Sequence, residues 1–145
     1  MIRKIFTAIV FLFSLGIVEA TAGDICYDKA DEAMTKLHTW HDLRIWFESY
    51  PGCDDGYFAE GISDFVVASL AKKWTTLSAL NKELINHMAF EDFILKHIDA
   101  TTDYDDLKVI IHNTKENCPA EFVTLCEKIQ SNARAALKDI NTNVK

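Results

Sequence analysis

Acidic side chains crowd one short stretch of this sequence: Asp54, Asp55, Glu60 and Asp64, with Tyr57 among them. Glu60 and Asp64 lie four residues apart, so a helix would place both carboxylates on one face, a like-charge pair costing roughly a few tenths of a kcal/mol. Gly61, between them, costs about 1 kcal/mol relative to Ala inside a helix. Two penalties in one turn call for an offset, and there are two ways to supply it. In the structural one, Gly61 lets another helix approach closely while a cation such as Arg44 pairs with Glu60 or Asp64. In the functional one, Asp54, Asp55, Tyr57, Glu60 and Asp64 form a face that docks on a basic or polar cleft of a partner protein. Carboxylates one helical turn apart point the same way instead of flanking a sugar, so a glycosidase pair is not the expectation.

Other residue types that do chemistry are present without the spacing that chemistry needs. Gly61-Ile62-Ser63-Asp64-Phe65 begins like a nucleophile elbow, but the second Gly is missing and a helix interior cannot make the strained strand-to-helix turn that exposes such a serine. His38 and His41 stand one turn apart with no third ligand nearby, and read as solvated histidines on a polar helix face. Asp99, Thr101, Asp103 and Asp105 alternate as calcium ligands do, yet Tyr104 occupies the position of the loop glycine and Ile110 that of the bidentate Glu. Those acids are expected to serve a helix N-terminus instead. His87, His97 and His112 have no acid or nucleophile at a telling spacing, and helix surface is their expected place. No catalytic residue, metal or cofactor is therefore expected, and an unrecognised hydrolase would need a cleft holding a strongly perturbed acid or base.

The elements that must carry these residues are helical. Ala30, Ala33, Met34 and Leu37 form one stripe, and Trp40, Leu43, Trp46, Phe47 and Tyr50 follow at steps of three and four. Pro51-Gly52 stops that run. Asp54 and Asp55 then start a third helix, reaching about Trp74 on Phe58, Ile62, Phe65, Val66 and Leu70. Ser78 can cap a helix carrying Leu80, Leu84, Ile85 and Met88, which continues or kinks into Phe90, Phe93, Ile94 and Ile98. Thr102 with Asp105 resembles a capping box before Leu107, Ile110 and Ile111. Pro119 opens the last helix, with Phe122, Leu125, Cys126, Ile129, Ala133, Leu137 and Ile140 inward. No window alternates as a strand does. The expected fold is all-α, a compact bundle of about six short helices stapled by two disulfides.

Length, charge and cysteines narrow the class. The chain has 145 residues, 49% of them hydrophobic and 26% charged, which fits one globular domain. With 15 Lys and Arg against 22 Asp and Glu the net charge is −7, the wrong sign for a phosphate-backbone binder, so nucleic acid is not an expected partner. Arg3 and Lys4 precede an apolar stretch over residues 5–18 that ends in Ala20-Thr21-Ala22, the pattern of a signal peptide cleaved after Ala22. That stretch is short of the roughly 20 residues that span a bilayer. Residues 1–22 are thus read as a cleaved signal peptide and 23–145 as a single exported helical domain with no membrane insertion after cleavage. Cys26, Cys53, Cys118 and Cys126, an even number in an exported chain, read as disulfides. Of the three pairings, Cys26–Cys53 and Cys118–Cys126 are favoured because each closes a modest loop.

The stretch from Cys53-Asp54-Asp55-Gly56-Tyr57 through Gly61-Ile62-Ser63-Asp64, with Leu70 and Trp74, Phe93-Ile94-Leu95-Lys96-His97-Ile98-Asp99-Ala100-Thr101 and Asn117-Cys118-Pro119 to Cys126, resembles a group of small exported bacterial proteins. The order of signal peptide, helix with a Gly-Tyr…Gly…Asp pattern and late cysteine-flanked helix is similar to periplasmic immunity proteins of type VI secretion amidase effectors. That resemblance implies a periplasmic, all-helical, non-enzymatic inhibitor of a secreted toxin or hydrolase, plugging a cell-wall amidase cleft with residues 51–57. The alternative is an exported small-molecule carrier, as in insect odorant carriers, with an apolar pocket between its helices. The cysteine spacing departs from that family, and the abundant Phe and Trp would have to line a hollow core.

Overall fold

Each run of apolar residues at helical spacing becomes a helix, and no strand occurs among the described residues. The computed structural model describes residues 26–143, so the signal peptide expected at 1–22 lies outside the described residues. A π turn at Cys26–Ala30 leads into α1 (Asp31–Met34), followed by α2 (Trp40–Ser49), α3 (Gly56–Lys72), α4 (Leu77–Leu84), α5 (Met88–Lys96), α6 (Tyr104–Glu116) and α7 (Val123–Asn143). Short 3-10 turns at Trp74–Thr76 and Ala120–Phe122 precede α4 and α7.

Helix α3 packs against α1 and α6, α6 against α7, α2 against α4, and α5 against both α4 and α7. Its buried residues Phe58, Ile62, Val66, Val67 and Leu70 meet a core that includes Leu107 and Ile110 of α6 and Leu125, Ile129 and Ala133 of α7. Each large apolar side chain so buried contributes about 1.5–3 kcal/mol. The aromatic residues pack on one another: Phe47 lies 4.7 Å from Phe93 and 5.5 Å from Phe90 between ring centroids, and Trp46 lies 6.1 Å from Phe58. The buried Trp46 indole donates to the Ala30 carbonyl at 3.1 Å, which fastens the π turn to α2.

Local chemistry sets the helix ends, in places other than expected. Thr39 begins α2 with a capping box, its hydroxyl accepting from the Asp42 amide while the Asp42 carboxylate accepts from the Thr39 amide. The α6 cap is Asp103, which accepts from the amides of Asp105 and Asp106; Thr102, one residue earlier, instead donates to the Asp99 carbonyl. Ser78 lies inside α4, which already starts at Leu77, and α3 stops at Lys72 instead of Trp74. Pro119 stands before the 3-10 turn rather than in the first turn of α7. Between α4 and α5 the chain breaks, with Asn86 at φ 64°, a left-handed conformation that Asn tolerates better than most residues.

Both disulfides form as the loop lengths suggested, Cys26–Cys53 and Cys118–Cys126. Such bonds persist in an oxidising compartment outside the cytosol. No helix among the described residues is long and apolar enough to cross a membrane. The close approach expected at Gly61 is made by α1: a Cβ there would stand 2.8 Å from the terminal methyl of Met34.

Candidate functional site

The Cys26–Cys53 bond holds the turn that leads into α3, and from that turn the five acidic-face residues part company. Asp55, Tyr57, Glu60 and Asp64 face solvent, Tyr57 with 68% of its surface exposed. Tyr57, Glu60 and Asp64 follow helical spacing along one stripe of α3, and Asp55 stands at its N-terminus. Asp55 occupies the N-cap position, but its side chain makes no capping bond, contrary to the expectation that it would satisfy the free amides. Asp54 turns inward, with 19% of its side chain exposed, to meet Lys96 at 2.8 Å and His97 at 3.0 Å. It is therefore not part of the solvent-facing set.

The cation expected to balance Glu60 or Asp64 is engaged elsewhere. Arg44 bonds Glu83 and Glu48. Among the described residues no Lys, Arg or His lies within 4.0 Å of the carboxylates of Asp55, Glu60 or Asp64. Gly61 has its structural reason in Met34; the acidic pair has none in a counter-charge.

Beside the stripe, on the buried flank of α3, lies a polar chain that sequence spacing did not reveal. His97, expected on a helix surface, is 1% exposed. Its Nε2 lies 3.0 Å from Asp54 Oδ1, close enough for charge attraction, although both atoms are buried and neither makes a hydrogen bond. Its Nδ1 lies 2.9 Å from Ser63 Oγ, which in turn lies 2.7 Å from Asp99 Oδ2. The Phe93 ring stands edge-on to the imidazole at 4.6 Å. Burial pushes the His97 pKa below the ordinary imidazole range, against the upward pull of Asp54 and Asp99. Burial also pushes Asp99 up, but the Thr101 hydroxyl, Ser63 and the Thr101 amide outweigh it and hold that carboxyl below the usual carboxylate range.

Acid, imidazole and hydroxyl in a row suggest nucleophilic catalysis. Here, however, Ser63 is 1% exposed in a helix interior and has a second carboxylate on its hydroxyl. A substrate carbonyl has no approach to it in this arrangement, and the chain serves instead to join α3, α5 and the segment after α5.

The remaining candidates stay apart. His41 is exposed and lies 3.2 Å from Glu83, and His38 precedes α2 in the turn instead of sharing its face. His87 and His112 are exposed, as expected. Asp99 and Asp103 accept from hydroxyls and amides, Asp105 pairs with Lys108 at 3.0 Å, and no group of three His, Cys, Asp or Glu among the described residues is placed to hold a metal. A pocket of about 170 Å³ between α2, α3 and α4 is lined by Trp40, Phe65 and Ala79, with none of the acidic-face residues at its walls. No protein family, curated protein or solved structure matches this chain.

Proposed function

We propose that this chain is a periplasmic binding protein, exported by a signal peptide cleaved after Ala22, that acts as an immunity protein or inhibitor and neutralises a secreted, cell-wall-targeting hydrolase by covering its active site. The observation that carries the reading is the solvent-facing stripe of Tyr57, Glu60 and Asp64, with Asp55 at its end, whose carboxylates have no counter-charge within 4.0 Å among the described residues. Repulsion between Glu60 and Asp64 works against the free fold and is relieved when a basic surface arrives. Tyr is a side-chain type that dominates binding energy at interfaces, and Tyr57 is the most exposed aromatic among the described residues. The packing of Phe47, Phe90 and Phe93 on one another supports recognition at the surface over a ligand held in a hollow core.

The test uses tagged mature chain, residues 23–145, and the Glu60→Lys/Asp64→Lys variant, incubated with an envelope extract from toxin-producing cells. The expected result is near-stoichiometric capture of a hydrolase whose cleavage of peptidoglycan the chain blocks, with capture and inhibition both lost in the variant at an unchanged melting temperature. Equal inhibition by the variant would remove the acidic stripe from the interface. Unfolding of the variant would make the pair structural and end the docking idea.

A further inference from the structure

Ser63 has one hydroxyl hydrogen and two groups within hydrogen-bond distance that can claim it: His97 Nδ1 at 2.9 Å and Asp99 Oδ2 at 2.7 Å. Which one receives it depends on the imidazole. The opposite ring nitrogen, Nε2, lies 3.0 Å from Asp54 Oδ1 and makes no hydrogen bond; a lone pair there would face the carboxylate charge, so the facing carboxylate favours a hydrogen on Nε2 in either state of the ring. When the ring is neutral, Nδ1 carries a lone pair and Ser63 donates to it. Asp99 then keeps the amide and hydroxyl of Thr101 on its other oxygen. When the ring is charged, Nδ1 is itself a donor, Ser63 accepts from it, and the serine hydrogen is released to Asp99.

We propose that Ser63 is a relay: protonation of His97 rotates the Ser63 hydroxyl from His97 to Asp99, so that at acid pH α3 takes hold of the segment between α5 and α6. A hydronium ion of the solvent gives its proton to Nδ1 and becomes water, and no bond within the chain breaks. The charged and titratable groups facing the ring are Asp54 from the turn before α3, Lys96 on α5 and Asp99 after it, with the Phe93 ring beside them. Two carboxylates against one ammonium leave a site able to accept a positive ring. Burial sets the changeover below the ordinary imidazole value of 6.5. This inference concerns the buried side of α3 and stands independently of what the exposed side binds.

The measurement is a pH titration of the oxidised chain by NMR, following the ring nitrogens of His97, the carboxyl carbon of Asp99 and the amide of Thr101. Near neutral pH the ring should carry its hydrogen on Nε2 alone. On acidification Nδ1 should gain a proton with a midpoint below 6.5, and the Asp99 and Thr101 signals should shift with that same midpoint. Ser63→Ala should lose the shared midpoint while His97 still titrates. A neutral ring with its hydrogen on Nδ1, or Asp99 and Thr101 signals indifferent to His97 in the unmodified chain, would overturn the relay. The unmodified chain decides the matter even where the alanine variant folds poorly.

Discussion

Cys118–Cys126 closes a loop of 8 residues beside the most extensively packed helix pair in the molecule, α6 against α7, whereas Cys26–Cys53 spans 27 residues and ties down a π turn and a single turn of helix. In the first region apolar burial by Leu125, Ile129 and Ala133 does most of the holding and the bond reinforces it. In the second, the restraints are few and specific: the disulfide, the Trp46 indole on Ala30, Met34 against Gly61, and the Asp54 carboxylate on Lys96 and His97. The segment that leads into the acid-bearing helix α3 is thus the one held by discrete contacts, and a handful of changes suffices to loosen it.

The largest separation between the two regions should come from removing the bonds. The loop-entropy relation gives about 3.6 kcal/mol for Cys26→Ser/Cys53→Ser and about 2.6 kcal/mol for Cys118→Ser/Cys126→Ser. Urea unfolding of the two variants should rank them in that order, and the reverse order would show that the hairpin leans on its bond more than its packing suggests. Asp54→Ala should cost about 1–3 kcal/mol, because it removes the carboxylate that faces the buried His97 ring at 3.0 Å and pairs with Lys96 at 2.8 Å. The loss should appear as faster amide exchange over residues 26–37 and 53–58, with α6 and α7 unchanged.

Acid should act on the same region, with a smaller effect. The pKa of His97 is lowered in the fold, so below 6.5 the unfolded chain binds more protons than the folded one. Stability is therefore complete above that pH and declines as pH falls through the folded-state value. The decline continues at lower pH, where Asp99 and Asp42, also held below their ordinary values, are forced to protonate. Urea midpoints measured from neutral to mildly acid pH should show the first part of the slope, flattened in His97→Gln. The smallest effect is expected from Gly61→Ala, where about 1 kcal/mol of helix propensity opposes the displacement of one flexible Met34 methyl. A thermal melt within a few degrees of the parent is expected, and a large drop would mean that the contact of α1 with α3 is rigid.

Periodicity made α2, α3, α6 and α7 legible in the sequence, because their apolar residues recur on one face, and modest loops that tie a helix to the segment beside it pointed to both disulfides. The break at Asn86 was open, since Ile85 and Met88 continue the apolar spacing while both remain exposed in the fold. The α6 cap lay one residue from where Thr102 suggested it, because Thr and Asp both cap and only the final backbone path decides between them. The polar chain was not legible at all. Ser63 and His97 stand 34 residues apart and meet only after α3 and α5 have packed. Asp54 illustrates the limit for the candidate site: its type and spacing place it with Asp55, but a turn residue can point either way, and Lys96 and His97 draw it inward.

The spacing of the four cysteines also bears on how the chain is made. Loop closure is entropically easier for short separations, so Cys118 and Cys126 should oxidise first and leave Cys26 and Cys53 as each other's remaining partners. Every mispairing among the four would have to close a longer loop than either native bond. The order of oxidation thus guards its own fidelity, and the acid-bearing corner is the last part of the molecule to be sealed.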